Sequence, residues 1–109
     1  QVTLVDFSTD KRLYNSREEM KIKVALLSDK KEKDVRVKVF GIKRGNSYKL
    51  DKEKITDLSV GMNSIEFSYM TPSCYGCAGI KPGKYNLTLE VYQSGKLILS
   101  STCEIEIQP

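Results

Sequence analysis

Histidine and tryptophan are absent from this 109-residue chain, and cysteine and proline number only three each. Without histidine there is no His-dependent catalytic triad, no histidine-bearing zinc site and no imidazole pH switch. No apolar run approaches the ~20 residues of a membrane-spanning helix. The sequence holds no G-x-x-x-x-G-K-S/T, G-x-G-x-x-G, G-x-S-x-G or D-x-D-x-D-G stretch, so phosphate loops, dinucleotide sites, nucleophile elbows and calcium loops are excluded. Neither an enzyme nor a cofactor or metal site is expected.

What remains is a globular composition, 39% hydrophobic and 29% charged, and a length that suits a single domain over residues 1–109. The net charge of +4 can suggest an anionic partner. The charges are mixed, however, as in Asp29-Lys30-Lys31-Glu32-Lys33-Asp34 and Asp51-Lys52-Glu53-Lys54, which describes a solvated surface. No nucleic-acid partner is expected. Heavy use of Lys and Glu without His or Trp also suits a thermophile. The chain starts at Gln1 with no charged-then-apolar leader, so a mature secreted product or a module of a longer chain is expected.

The dominant pattern has period two. Met20, Ile22, Val24 and Leu26 alternate with smaller or charged residues, as do Val35, Val37 and Val39, then Ile65, Phe67 and Tyr69, then Tyr85, Leu87, Leu89 and Val91. Such alternation gives half-buried antiparallel strands. No stretch sustains a helical spacing. Turn-forming residues at short intervals divide the chain into Val2–Phe7, Met20–Leu27, Val35–Ile42, Tyr48–Leu50, Ile55–Leu58, Asn63–Tyr69, Lys84–Tyr92 and Lys96–Ile107. Short strands so spaced make a β-sandwich or a barrel. For the last hairpin, a three-residue loop Gln93-Ser94-Gly95 is expected. It pairs Val91 with Leu97, Leu89 with Leu99 and Tyr85 with Cys103, keeping every glutamate outside.

The segment Ile80-Lys81-Pro82-Gly83-Lys84-Tyr85-Asn86-Leu87-Thr88-Leu89-Glu90-Val91 resembles the "PG-x-Y-x-hydrophobic-x-hydrophobic" approach to the penultimate strand of immunoglobulin-like modules. These include fibronectin-III-like domains and the CARDB-like modules of archaeal and bacterial surface proteins. Tyr14-Asn15-Ser16-Arg17-Glu18 resembles their "Y-x-x-G-E" lead-in, with Arg17 where glycine would stand. The resemblance implies an all-β, immunoglobulin-like β-sandwich of about seven antiparallel strands. It implies little about function, because such modules serve as spacers, adhesins and accessory domains. Tyr85 reads either as a core aromatic or as a tyrosine-corner residue whose hydroxyl bonds nearby backbone.

Cys74 and Cys77 form a C-x-x-C pair in a Gly/Pro-rich stretch. A redox motif needs its first cysteine at a helix N-terminus, and zinc needs four ligands where the chain offers three thiols and no His. A structural disulfide of an exported protein is the reading that remains. The short spacing lets Cys74 and Cys77 close on one another, with Gly76 in the turn and Cys103 free and buried. Cys77–Cys103 and Cys74–Cys103 are the alternatives. The loop so held presents Tyr75 and Gly76 as a candidate binding loop.

Asn86-Leu87-Thr88 is an N-x-S/T sequon whose Asn86 falls on an outward strand face, making it a candidate glycosylation site. The carboxylate pairs Glu18-Glu19 and Glu104/Glu106 read as solvated surface. Tyr48, Tyr75 and Tyr92 are candidate exposed aromatics for a sugar platform. Ala25, Leu27, Phe40 and Ile42 share outward parity; they form an apolar patch unless a loop covers them or a bulge turns them inward.

The expected function is that of a non-catalytic module of an exported or cell-surface protein, extracellular or on the cell surface. It would act as spacer, adhesion or protein-interaction unit with a protein or cell-surface partner, and meet a membrane only through flanking regions. A loop-presenting inhibitor and an accessory carbohydrate-binding domain are the alternatives.

Overall fold

Residues that alternate apolar and polar can satisfy their backbone only by pairing edge to edge, with one face turned from water. The computed structural model describes residues 1–74 and 79–109, and these contain no helix. The strands are β1 (Val2–Thr9), β2 (Leu13–Asn15), β3 (Glu19–Ser28), β4 (Glu32–Arg44), β5 (Ser47–Leu58), β6 (Gly61–Met70), β7 (Gly83–Gln93) and β8 (Lys96–Gln108). They form two sheets, a three-stranded one of order β1-β3-β6 and a five-stranded one of order β2-β8-β7-β4-β5.

One hydrophobic core lies between inward residues of both sheets. Met20, Ile22, Val24 and Leu26 of β3 and Phe67 of β6 join Val35, Val37 and Val39 of β4, Leu87, Leu89 and Val91 of β7, and Ile105 and Ile107 of β8. Most are wholly buried, each contributing about 1.5–3 kcal/mol of apolar transfer free energy. The alternation therefore identifies the inward face of β3, β4, β6 and β7.

Four features depart from the expected layout. There are eight strands rather than about seven, because β2 escapes the period-two pattern. It is three residues long and runs parallel to β8, with Tyr14 opposite Ile107. The sheets are thus not wholly antiparallel. The segments Tyr48–Leu50 and Ile55–Leu58 belong to one strand, β5, which pairs continuously with β4 through Asp51, Lys52, Glu53 and Lys54. An edge strand can carry charges along its length, and these discourage pairing with other chains.

The third departure is the register of the β7–β8 hairpin. The loop is the two-residue Ser94-Gly95, both in the left-handed region at φ 51° and 74°, the conformation a tight hairpin turn of this twist requires. Gln93 pairs with Lys96 and Tyr92 with Leu97, but Val91 pairs with Leu99, so Ile98 is an extra residue. The bulge restores the parity that keeps Glu104 and Glu106 outside. Partners shift by two places: Leu89 faces Ser101, Leu87 faces Cys103, and Tyr85 faces Ile105 rather than Cys103.

The fourth departure concerns the outward apolar residues. Ile42 lies at φ 57°, rare for a β-branched residue, and its side chain turns into the core at 1% exposure. Ala25, in the central strand of the smaller sheet, is buried as well. Phe40 is half-buried, its ring edge-on to Tyr48 with centroids 5.0 Å apart. Leu27 alone of the four stays well exposed.

Candidate functional site

The two ends of the molecule differ in chemistry. At one end β1 starts beside the close of β3, Val2 opposite Ser28, and the Gln1 ammonium meets the Asp29 carboxylate. At the other end β8 finishes beside Gly83 and Asn15. That second end gathers the crossover from β1 to β2, the turn before β3, the β4–β5 turn and the connection between β6 and β7.

The crossover is pinned by a small polar knot. Tyr14 is buried with its ring in the core, and its hydroxyl donates to Asp10 Oδ1 at 2.5 Å while accepting the Lys11 N–H at 2.8 Å. Asp10 Oδ1 also accepts the Lys21 N–H at 2.9 Å. The tyrosine hydroxyl and then the Lys21 amide hold the Asp10 carboxyl below its ordinary value. Burial, with the bond to Asp10, pushes the Tyr14 phenol up to about 12. These shifts follow from stabilising the carboxylate and disfavouring a phenolate.

The turn before β3 closes around Arg17, which takes a φ of 61° where the resembled motif has glycine. Thr71, buried at the end of β6, reaches across: its hydroxyl accepts the Glu18 N–H at 2.8 Å and donates to the Asn15 carbonyl at 2.9 Å. Glu18 is occupied structurally. Its carboxylate accepts the Asn15 N–H at 2.9 Å and meets the Lys11 ammonium, and the lysine chiefly holds its pKa down. Glu104 and Glu106 are exposed, with Lys84 Nζ 3.9 Å from Glu104.

At the same end of the molecule lies a cavity of about 500 Å³, lined in part by Lys43 and Arg44 at the end of β4, Cys74, Ile80 and Lys81 of the β6–β7 connection, and Tyr85 of β7. The volume falls within the range of small-molecule sites. Tyr85 donates its hydroxyl hydrogen bond to the Lys81 carbonyl, which ties the connection to the strand that follows it. The sequence singled out Cys74 and Tyr85 but not Lys43, Arg44 or Lys81. Lys81 is far in the chain from the adjacent pair Lys43-Arg44, and only the pairing of β4 with β7 brings them to one cavity.

Cys74 is a half-buried free thiol. Its expected partner Cys77, and Tyr75 and Gly76 of the candidate binding loop, lie outside the described residues. Cys103 is also free and half-buried, opposite Leu87, and burial pushes its thiol up. Asn86 is exposed on β7, on the outward face that its alternation gives.

A second surface crosses the outer face of the larger sheet. The pairing aligns Leu97, Tyr92, Arg36 and Ile55 in one row. The Arg36 guanidinium lies 4.8 Å from the Tyr92 ring centroid, and Leu97 and Ile55 are exposed on either side. Of the three candidate aromatics, Tyr92 thus sits beneath an arginine, and Tyr48 is occupied by Phe40.

No protein-family model matches the sequence, and no curated protein matches it. Among solved structures, the whole fold is similar to part of the Pseudomonas fluorescens alkylpurine DNA glycosylase AlkC bound to DNA containing an abasic site analog (TM-score 0.66, 16% identity, 99% of this chain). It is similar to part of the β-glucosidase EmGH1 from Erythrobacter marinus (TM-score 0.68, 10% identity, 99% of this chain). It also matches the C-terminal domain of wzt (TM-score 0.69, 7% identity, 99% of this chain and 74% of that one). This chain spans 30% of the glycosylase and 15% of the glucosidase. At such identities the likeness is one of fold alone.

Proposed function

We propose that this chain is a non-catalytic, immunoglobulin-like β-sandwich module of an exported or cell-surface protein, of the CARDB-like kind, acting as a spacer, adhesion or protein-interaction unit. The observation that carries the reading is the exposed row of Leu97, Tyr92, Arg36 and Ile55 across the outer face of the larger sheet.

The strand orders β1-β3-β6 and β2-β8-β7-β4-β5 support the immunoglobulin-like assignment, as does the Tyr85 bond to backbone four residues upstream. The row of Leu97, Tyr92, Arg36 and Ile55 favours a protein contact over a passive spacer. Tyrosine and arginine flanked by exposed aliphatics are the residue types that dominate binding energy at interfaces.

An antibody raised against the folded chain tests the reading on cells of the source organism. Labelling of intact cells is expected. Labelling that appears only after permeabilisation overturns it.

A further inference from the structure

We propose that the free edge of β6 takes up an extended, acidic segment of a partner protein as a fourth strand of the smaller sheet, against two lysines of β5. The two sheets do not match in width. Directly opposed residues of paired strands share a face, and β4 pairs Val39 with Lys52, Val37 with Lys54 and Val35 with Thr56. The three valines are wholly buried, so Lys52, Lys54 and Thr56 belong to the inward face of β5. Yet Lys52 and Lys54 are exposed, while Leu50 and Leu58 toward the two ends of the same strand are buried. The smaller sheet thus stops at β6 and leaves the inward face of mid-β5 uncovered. Between the two edges runs a groove of about 360 Å³, with Lys54, Ile55 and Thr56 on one side and Ser64, Ile65 and Glu66 on the other.

The edge of β6 is suited to receive a strand. Among the described residues no strand pairs with it, and an unpaired edge offers a row of N–H and C=O groups to another chain. The edges β1, β2 and β5 each carry a device against such pairing: a bulge at Val5, a length of three residues, and charges along the strand. Strand β6 pairs with β3 over all ten of its residues without a bulge, holds no proline and has Glu66 as its single charge. The Lys54 ammonium donates to the Glu66 carbonyl and lies 5.1 Å from the centroid of the Phe67 ring, so a side chain serves where a strand N–H could. The chemistry of the occupant follows from β5. Lys52 and Lys54 stand two residues apart on one face, the ~6.6 Å repeat of an extended chain. Among the described residues neither has a carboxylate within ion-pair distance. Carboxylates at alternate positions of an added strand meet these lysines, while main-chain bonds to β6 hold it, as in strand addition at other sheet edges. A second copy of β6 fits poorly, because it turns Ile65 and Phe67 into its own core and carries no carboxylate on that face. The site depends neither on where the protein resides nor on the Arg36–Tyr92 row, which lies on the other face of the larger sheet.

Peptide titration of the isotope-labelled chain, followed by heteronuclear NMR and amide hydrogen exchange, tests the proposal. The probe is an end-blocked peptide of alternating valine and glutamate, about eight residues long, an ordinary strand length. One control replaces glutamate by lysine, and a second carries N-methyl groups on its backbone amides. Saturable shifts and slowed exchange along residues 62–70 are expected with the probe and with neither control, and added salt is expected to weaken binding. Lys52→Gln is expected to weaken it roughly two- to fivefold with the spectrum otherwise unchanged. Lys96→Gln, at an exposed lysine on β8, is expected to change nothing. Absence of saturable shifts up to ~5 mM peptide overturns the proposal. So does equal binding of either control, unchanged affinity in Lys52→Gln, or shifts centred on Arg36 and Tyr92 instead of β6. A dimer in sedimentation, with exchange along β6 already slow before peptide is added, assigns the edge to a second copy and overturns it as well.

Discussion

Thr71 holds both sides of the turn before β3 through one hydroxyl. Its side chain is buried, and both its accepting and its donating capacity are used, toward Glu18 and Asn15. Its own backbone adds a bond from the Thr71 N–H to the Glu18 carbonyl and accepts one from the Arg17 N–H. Replacing the hydroxyl by a methyl of similar size leaves the Glu18 N–H and the Asn15 carbonyl without that partner. Thr71→Val is expected to destabilise the fold by about 1–3 kcal/mol, and Thr71→Ser by much less, measured by urea unfolding. Equal stability of the valine variant would show that water replaces the hydroxyl. Arg17 illustrates the same scale from the other side. The turn places arginine at φ 61°, a conformation that glycine adopts without strain, and the Arg17 N–H to Thr71 bond holds the backbone there.

At the level of the strand, β4 and β7 approach closely because Gly41 has no side chain. A β-carbon there would lie 2.4 Å from the Asn86 carbonyl oxygen and 3.0 Å from the Leu87 α-carbon. Both are backbone atoms of the paired strand, so relief requires the sheet itself to move. Gly41→Ala is therefore expected to cost about 1–3 kcal/mol, with chemical-shift changes spreading along β7 from Asn86. A neutral alanine variant would mean that β4 and β7 separate there without loss. In the β7–β8 hairpin the bulge at Ile98 has a comparable role. It reconciles a two-residue turn with a strand whose glutamates stay in water.

Over the whole molecule, the Tyr14–Asp10 knot ties the two sheets, because β1 belongs to one and β2 to the other. Its titration contributes to the pH dependence of the fold at both ends of the range. Asp10 has a lowered pKa when folded, so its contribution is present above the ordinary carboxylate value of about 3.9 and is lost as pH falls through the lower folded value. Tyr14 is raised to about 12. An unfolded tyrosine ionises near ~10, so the unfolded state releases its proton first and stability falls as pH rises from ~10 toward 12. A plateau of melting temperature across neutral pH is expected, falling at both ends. Asp10→Asn is expected to flatten the acid limb and Tyr14→Phe the alkaline one, read by circular dichroism. An alkaline limb unchanged in Tyr14→Phe would assign it to another group.

The sequence by itself determined the class of fold and most of the core. Alternation is a local property, and any strand with one face in water must show it, so Ile22, Val37, Phe67 and Leu89 were legible as inward residues. The Pro82-Gly83-Lys84-Tyr85 stretch likewise announced the start of β7. Tertiary structure alone decided what local pattern does not encode. Strand β2 exists because Tyr14 finds a pocket and Glu106 donates to the Arg12 carbonyl. The charged middle of β5 is a strand because β4 offers it an edge, and Ile42 faces inward because the core has room for it. The cavity follows the same logic. Lys81 carries no mark in the sequence that ties it to Lys43 and Arg44, since only the long-range pairing of β4 with β7 brings them to one cavity.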